Sequence, residues 1–322
     1  MTILLLLIGL GLLVAGGELL VRGAVRLAER FGLSPLLIGL TLVGFGTSTP
    51  ELVTSLQAAF KGSPGIAVGN VVGSNTANIL LILGIAALIF PVAVAKGTFK
   101  RDGLVLALAS LACLGAVLMG GLTPIIGAVF VAALAGYILF AFWQERNVET
   151  APASGTGGVT PVAPNKGGIA LDIVLVVAGL ALTILGARFA VDGAITLARM
   201  FDVSETLIGL TVVAVGTSLP ELVTSVMAAL KRQGDIAFGN IVGSNIYNVF
   251  GILGVTAMVK PIPVPPEIAA FDIWIMLGAT ALLILFAVSR WRIGRIEGAV
   301  LLASYVAYTA WLVLTATGQN PA

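Results

Sequence analysis

Glu51 and Glu221 stand in long apolar runs, inside two ten-residue stretches that nearly repeat one another, GTSTPELVTS at 46–55 and GTSLPELVTS at 216–225. A carboxylate in the middle of a membrane helix costs on the order of 2.5–3.5 kcal/mol, so an acid kept there points to function. Two such acids in matching settings suggest one ion site shared by two related halves. Pro50 and Pro220 precede them. Proline has no amide hydrogen and its ring clashes with the carbonyl four residues back, so the helix must break or kink. The break frees carbonyls near Gly44, Gly46 and Thr47, and near Ala214, Gly216 and Thr217. Carbonyls freed at membrane depth need a partner, and a cation can be one. Thr47, Ser48, Thr217 and Ser218 add hydroxyls alongside.

A second doubled element reads GNVVGSNTANILLILG at 69–84 and GNIVGSNIYNVFGILG at 239–254. Ser74 and Asn78 are four residues apart, as are Ser244 and Asn248, so each pair shares a helix face. Their oxygens are hard, neutral ligands. Asn70, Asn75, Asn240 and Asn245 lie in the same runs and read as capping or packing groups, and Gly69, Gly73, Gly239 and Gly243 have the GxxxG spacing of close helix packing.

The ligand inventory is therefore oxygen only. The chain has no histidine and a single cysteine, Cys113, so neither an internal disulfide nor a thiolate or imidazole metal cluster is available. Oxygen ligation with a charge of −2 suits Ca²⁺, which takes about 6–8 oxygens at roughly 2.3–2.6 Å. Zn²⁺, Cu²⁺ and Ni²⁺ are disfavoured by the missing nitrogen and sulfur ligands, and Mg²⁺ by its demand for strict octahedral geometry.

The elements that must position these groups are membrane helices. With 58% hydrophobic and 10% charged residues, the chain is too apolar for a soluble globule. Ten apolar segments of bilayer-crossing length read at 2–24, 34–60, 66–90, 103–120, 124–143, 169–198, 204–230, 236–259, 269–289 and 296–316. The first lacks a basic leader and reads as a helix, not as a cleaved signal. The stretch 145–168 is rich in Pro, Gly, Ser and Thr and reads as a linker between repeats at 1–144 and 169–322. A constant offset of 170 relates the two, pairing Thr41 with Thr211, Asn70 with Asn240 and Pro91 with Pro261. Five spans per half is an odd number, so the second half enters the membrane upside down. The expected fold is an all-α integral membrane protein, ten transmembrane helices in two inverted-topology five-helix repeats, with the site at the midplane between them. Thirteen of the 17 Lys and Arg fall on one side, Arg101 among them, which places the linker in the cytoplasm and both termini outside. Glu18 with Arg22, and Arg188 with Asp192, have the spacing of intrahelical ion pairs.

At these motifs the chain resembles the calcium/cation antiporter superfamily, in the sodium/calcium exchanger branch and its short prokaryotic members. The resemblance covers nearly the whole chain. It implies that spans 2, 3, 7 and 8 form a core around the ions while spans 1 and 6 slide across it. It implies Ca²⁺ bound by Glu51, Glu221 and the carbonyls of Thr47 and Thr217. Sodium would use Ser48, Ser74, Asn78, Ser218, Ser244, Asn248, both glutamates and the carbonyls of Gly44 and Ala214. Many exchangers have Asp at one of the positions held here by Asn78 and Asn248, so this chain offers no third acid, which argues against potassium co-transport.

The expected function is electrogenic Na⁺/Ca²⁺ antiport by alternating access, normally extruding Ca²⁺ across the inner (plasma) membrane. The alternatives are a Ca²⁺/H⁺ exchanger with the glutamates as proton carriers and, further off, a cation channel. No enzymatic activity and no cofactor is expected beyond the transported ions. The partners are Ca²⁺, Na⁺ and the lipid bilayer, with no nucleic acid and no obligatory protein partner.

Overall fold

The computed structural model describes residues 2–61, 64–149, 168–200 and 214–316. Helix α1 (Thr2–Phe31) is followed by α2 (Pro35–Thr47) and α3 (Thr49–Phe60), which meet at a 41° bend. Next come α4 (Gly65–Ile89), β1 (Val92–Ala93), α5 (Lys96–Leu118), β2 (Gly121–Leu122) and α6 (Pro124–Glu149). The second half runs α7 (Ile169–Met200), α8 (Ala214–Thr217), α9 (Leu219–Leu230), α10 (Gly234–Val259), β3 (Ile262–Pro263), α11 (Ile268–Arg290), β4 (Arg292–Ile293) and α12 (Arg295–Ala316). Among the described residues eight helices are long and apolar enough to cross a bilayer, and the bent pair α2–α3 makes a ninth. Most of the first half of the span expected at 204–230 lies outside the described residues. The chain is a helical, multi-pass membrane protein.

Several boundaries differ from the sequence reading. Helix α1 continues to Phe31, seven residues past the expected end at 24, and α5 begins at Lys96 instead of 103. Several charged residues in these extensions find partners, so polarity there does not end the helix. Arg30 Nε reaches Asp172 on α7 at 2.7 Å, and Arg101 Nε reaches Asp102 at 2.5 Å. Arg101, counted above on the linker side, is buried, and Tyr137 donates to Asp102 at 2.9 Å. Helix α6 extends to Glu149, inside the stretch expected as linker. Its last turns are anchored by Arg101, whose Nη1 donates to Gln144 at 3.2 Å, and by the Ser34 amide, which donates to Glu145 at 3.3 Å.

Two antiparallel strand pairs, not anticipated from sequence, tie loops of the two halves: Val92 faces Ile293 in one, Leu122 faces Ile262 in the other. Helices α1 and α7 also join the halves, packed antiparallel along a glycine seam. Gly9, Gly16 and Gly23 recur every seven residues on α1, and Gly179, Gly186 and Gly193 match them on α7. A Cβ on Gly16 would stand 2.5 Å from the Thr183 amide nitrogen, and one on Gly186 2.7 Å from that of Leu13. Backbones this close leave room only for hydrogen, as in small-residue helix packing within membranes. Gly239 and Gly243 play the packing role expected of them, since a Cβ on either would collide with the backbone of Leu36 to Leu40.

Candidate functional site

The site forms where the two breaks meet. Thr47 ends α2 and Leu219 begins α9, with Ser48 and Ser218 at the breaks in nearly the same backbone conformation: φ −82°, ψ 8° and φ −89°, ψ 9°. Pro50 and Pro220 fall in the first turns of the following helices, where their missing amide hydrogens cost nothing. Glu51 and Glu221 sit one residue further on and are buried, each 1% exposed.

The halves exchange hydrogen bonds. Ser48 Oγ donates to Glu221 Oε1 at 2.7 Å, and Ser218 Oγ donates to Glu51 Oε1 at 3.4 Å and lies 3.4 Å from Ser74 Oγ. Ser244 Oγ donates to the Gly44 carbonyl at 3.1 Å. Thr47 Oγ1 donates to Asn240 Oδ1 at 3.2 Å. These bonds join Glu221 to Ser48, Glu51 to Ser218 and through it to Ser74, and Gly44 to Ser244. Asn78 and Asn248 are both buried in the adjoining α4 and α10. Thr217 lines a cleft leading away from the site, and Ala214 opens α8.

Asn70 and Asn240, read from sequence as packing groups, have a closer task. Asn70 Nδ2 donates to the Glu51 carbonyl at 3.3 Å and to Ser55 Oγ at 3.1 Å. Asn240 Nδ2 does the same to Glu221 and Ser225, at 3.3 and 2.9 Å. Each ties the acid-bearing helix to its neighbour. Their recurrence at the 170 offset was the available signal. Asn78 and Asn248 begin or fall within π-helical turns, Asn78–Leu83 and Tyr247–Leu253, which often mark functional sites in helices. No sequence pattern announces such turns.

Four buried acceptor oxygens in this region, Glu51 Oε2, Glu221 Oε2, Asn78 Oδ1 and Asn248 Oδ1, have no hydrogen-bond partner among the described residues, and neither do the Thr224 hydroxyl and the donor Asn245 Nδ2. An unpaired buried acceptor is costly, and a carboxylate more so. Cations bound among the four oxygens would satisfy these acceptors, and no nitrogen or sulfur ligand competes. Among the described residues no group of three or more His, Cys, Asp or Glu converges anywhere, so the charge rests on the two glutamates.

A cleft of about 220 Å³ reaches the site's edge, lined by Pro50, Thr54, Gln57, Arg188, Asp192 and Thr217. Arg188 and Asp192 are exposed there and form no ion pair with each other among the described residues. At the other end of the bundle Glu18 pairs with Arg22, as its spacing suggests, and also with Lys231 on the second half at 2.6 Å. A larger groove, about 860 Å³, is lined almost wholly by apolar side chains such as Leu27, Phe31, Leu42 and Phe45 and offers no ligating carboxylate.

Fold and site together define a multi-pass membrane protein with an acid-bearing, oxygen-lined interior site. The family described as sodium/calcium exchanger protein matches residues 1–143 and 171–314, and the chain belongs to that family. It is 35% identical to the sodium/calcium exchanger MaX1 of Methanosarcina acetivorans, covering 95% of this chain and 96% of that protein. It is 37% identical to the inner membrane protein YrbG of Escherichia coli, over 96% of this chain and 95% of that one. The solved structure of the sodium-calcium exchanger NCX_Mj superposes with a TM-score of 0.82 at 33% identity, over 96% of this chain and 97% of that one.

Proposed function

We propose that this chain is a Na⁺/Ca²⁺ antiporter that works by alternating access, with the ions bound between two inverted five-helix repeats at 1–144 and 169–322. The observation that carries this reading is the set of four bare buried oxygens, two of them on glutamates completed by the opposite half's serines. Glu51, Glu221 and the carbonyls of Thr47 and Thr217 hold Ca²⁺. Na⁺ takes the same glutamates with Ser48, Ser74, Asn78, Ser218, Ser244, Asn248 and the carbonyls of Gly44 and Ala214. The ions are cargo, and the transport cycle needs no cofactor and no protein partner.

A ten-helix topology is supported by the strand pairs. It puts the loops carrying β1 and β4 on one side of the membrane and those carrying β2 and β3 on the other, and the strands pair accordingly. The excess of Lys and Arg puts the first of these sides, with the 145–168 linker, in the cytoplasm and both termini outside, in the inner (plasma) membrane. The cleft beside Arg188 and Asp192 then opens outward, as one half of an alternating path. Ca²⁺ leaves the cell and Na⁺ enters.

Radiolabelled Ca²⁺ uptake into vesicles, with and without an outward Na⁺ gradient, tests this. Uptake driven by the Na⁺ gradient is expected. Uptake that ignores Na⁺ and follows a pH gradient would instead make the protein a Ca²⁺/H⁺ exchanger.

A further inference from the structure

Asn78 and Asn248 are held by a second asparagine pair that stands outside the ligand set. Asn75 Nδ2 donates to the main-chain carbonyl of Asn245 at 3.2 Å. A carbonyl can only accept, so this bond settles which way round the Asn75 amide lies. Its Oδ1 therefore faces Asn248, whose Nδ2 donates to it at 2.9 Å. That turns Asn248 Oδ1 to the free end, where it is buried and bare. On the other side Asn78 Nδ2 donates to Asn245 Oδ1 at 3.3 Å, leaving Asn78 Oδ1 buried and bare, while Asn245 Nδ2 is itself buried without a partner among the described residues. All four asparagines are 1% exposed, so water does not compete for these bonds.

We infer that Asn75 is a positioning residue that locks the amide orientation of Asn248, with Asn245 giving Asn78 a weaker, single-bond brace, so that oxygen and not NH₂ meets a sodium ion. An amide has a donor end and an acceptor end of nearly equal size, and a half-turn exchanges them. The wrong end would aim two protons at a cation. A carboxylate needs no such brace, because it presents oxygen either way. The inference rests on the exchange reading above, and there it acts selectively. The two glutamates alone neutralise one Ca²⁺, whereas a sodium ion beyond the second must rely on neutral oxygens. Na⁺ binding therefore depends on the amide orientation more than Ca²⁺ binding does. Asn75 makes two bonds in this network and Asn245 Oδ1 accepts one, so Asn75 is the stronger brace.

The test uses the full-length chain in vesicles, as Asn75→Leu and Asn245→Leu. Two fluxes are measured: Na⁺-driven Ca²⁺ transport, for the Na⁺ half-saturation, and Na⁺-free Ca²⁺ tracer exchange, for that of Ca²⁺. Asn75→Leu is expected to raise the Na⁺ value about tenfold and Asn245→Leu by less, with the Ca²⁺ value moved by no more than about twofold. Adding Asn248→Asp to Asn75→Leu should recover most of the lost Na⁺ affinity, since a carboxylate cannot turn the wrong way. An unchanged Na⁺ value in both variants, or an equal loss of both fluxes, overturns the inference while leaving the exchanger intact. A wild-type chain without Na⁺-driven flux would remove the exchange reading and this inference with it.

Discussion

Ser48, at the break in the first half, donates its hydroxyl to Glu221, at the break in the second, across 2.7 Å of buried space. The bond spans 173 residues of sequence. Ser218 answers it with a bond to Glu51. Each acid is thus held by the other half, and motion at one break reaches both carboxylates.

Removal of either charge should therefore stop Ca²⁺ transport. In Glu51→Gln or Glu221→Gln a divalent ion would leave water for a site of charge −1. Losing one partner of a buried charge pair costs about 3–5 kcal/mol, which is more than about a hundredfold in affinity. Ca²⁺ flux should fall to background while the protein keeps its elution profile in detergent. Near-normal flux in either variant would exclude these acids as central ligands.

Net charge should move in each cycle. Two ionised glutamates are balanced by one Ca²⁺ or by two Na⁺, and the neutral oxygens of Asn78 and Asn248 admit a third Na⁺ without cancelling its charge. One excess charge per cycle couples transport to voltage at about 2.3 kcal/mol per 100 mV. Current recorded with Na⁺ and Ca²⁺ as the only exchanged ions, and without K⁺, is the expected result. A requirement for K⁺, or electrically silent exchange, would show the asparagine reading to be wrong.

Orientation can be read separately. A cysteine placed within 151–165, in a Cys113→Ala background, should react with impermeant thiol reagents only from the cytoplasmic side. Labelling of intact cells from outside would reverse the topology.

The α1–α7 seam predicts a position-dependent penalty. Gly16→Ala sets a methyl against the Thr183 backbone, whereas at exposed Gly11 a Cβ meets nothing within 4 Å among the described residues. Overpacking of this kind costs roughly 1–3 kcal/mol. Gly16→Ala should lower the melting temperature in detergent and slow exchange, and Gly11→Ala should do neither. Equal melting curves would remove the seam's structural role.

Much of the site was legible because its chemistry is out of place. Glu51, Pro50 and Ser48 conflict with an apolar helix, and only function or strain explains such conflicts. The 170 offset then supplied their partners. What stayed hidden was orientation. Asn75 and Asn78 look alike in sequence, yet one braces and the other presents a bare oxygen, a difference set by π-helical turns and by contacts across the halves. The burial of Arg101 was not legible because charge counting knows nothing of Asp102 and Tyr137, which make that burial tolerable. The glycine heptads on α1 and α7 were open to inspection, but their meaning needs the antiparallel partner. The end of α6 was misjudged because the mostly polar residues 145–149 continue a helix as readily as they start a linker.

The reciprocal serine–glutamate exchange also bears on ancestry. Half of this chain holds one acid and the hydroxyl meant for the other, so by itself it carries an unfinished site. If the halves are inverted repeats, as proposed above, a forebear encoded as a single half would have worked only as a pair of identical subunits inserted in opposite directions. One gene product would have had to settle in both orientations, which demands a nearly even distribution of Lys and Arg. Duplication and fusion would release each half from that constraint and let each keep one direction.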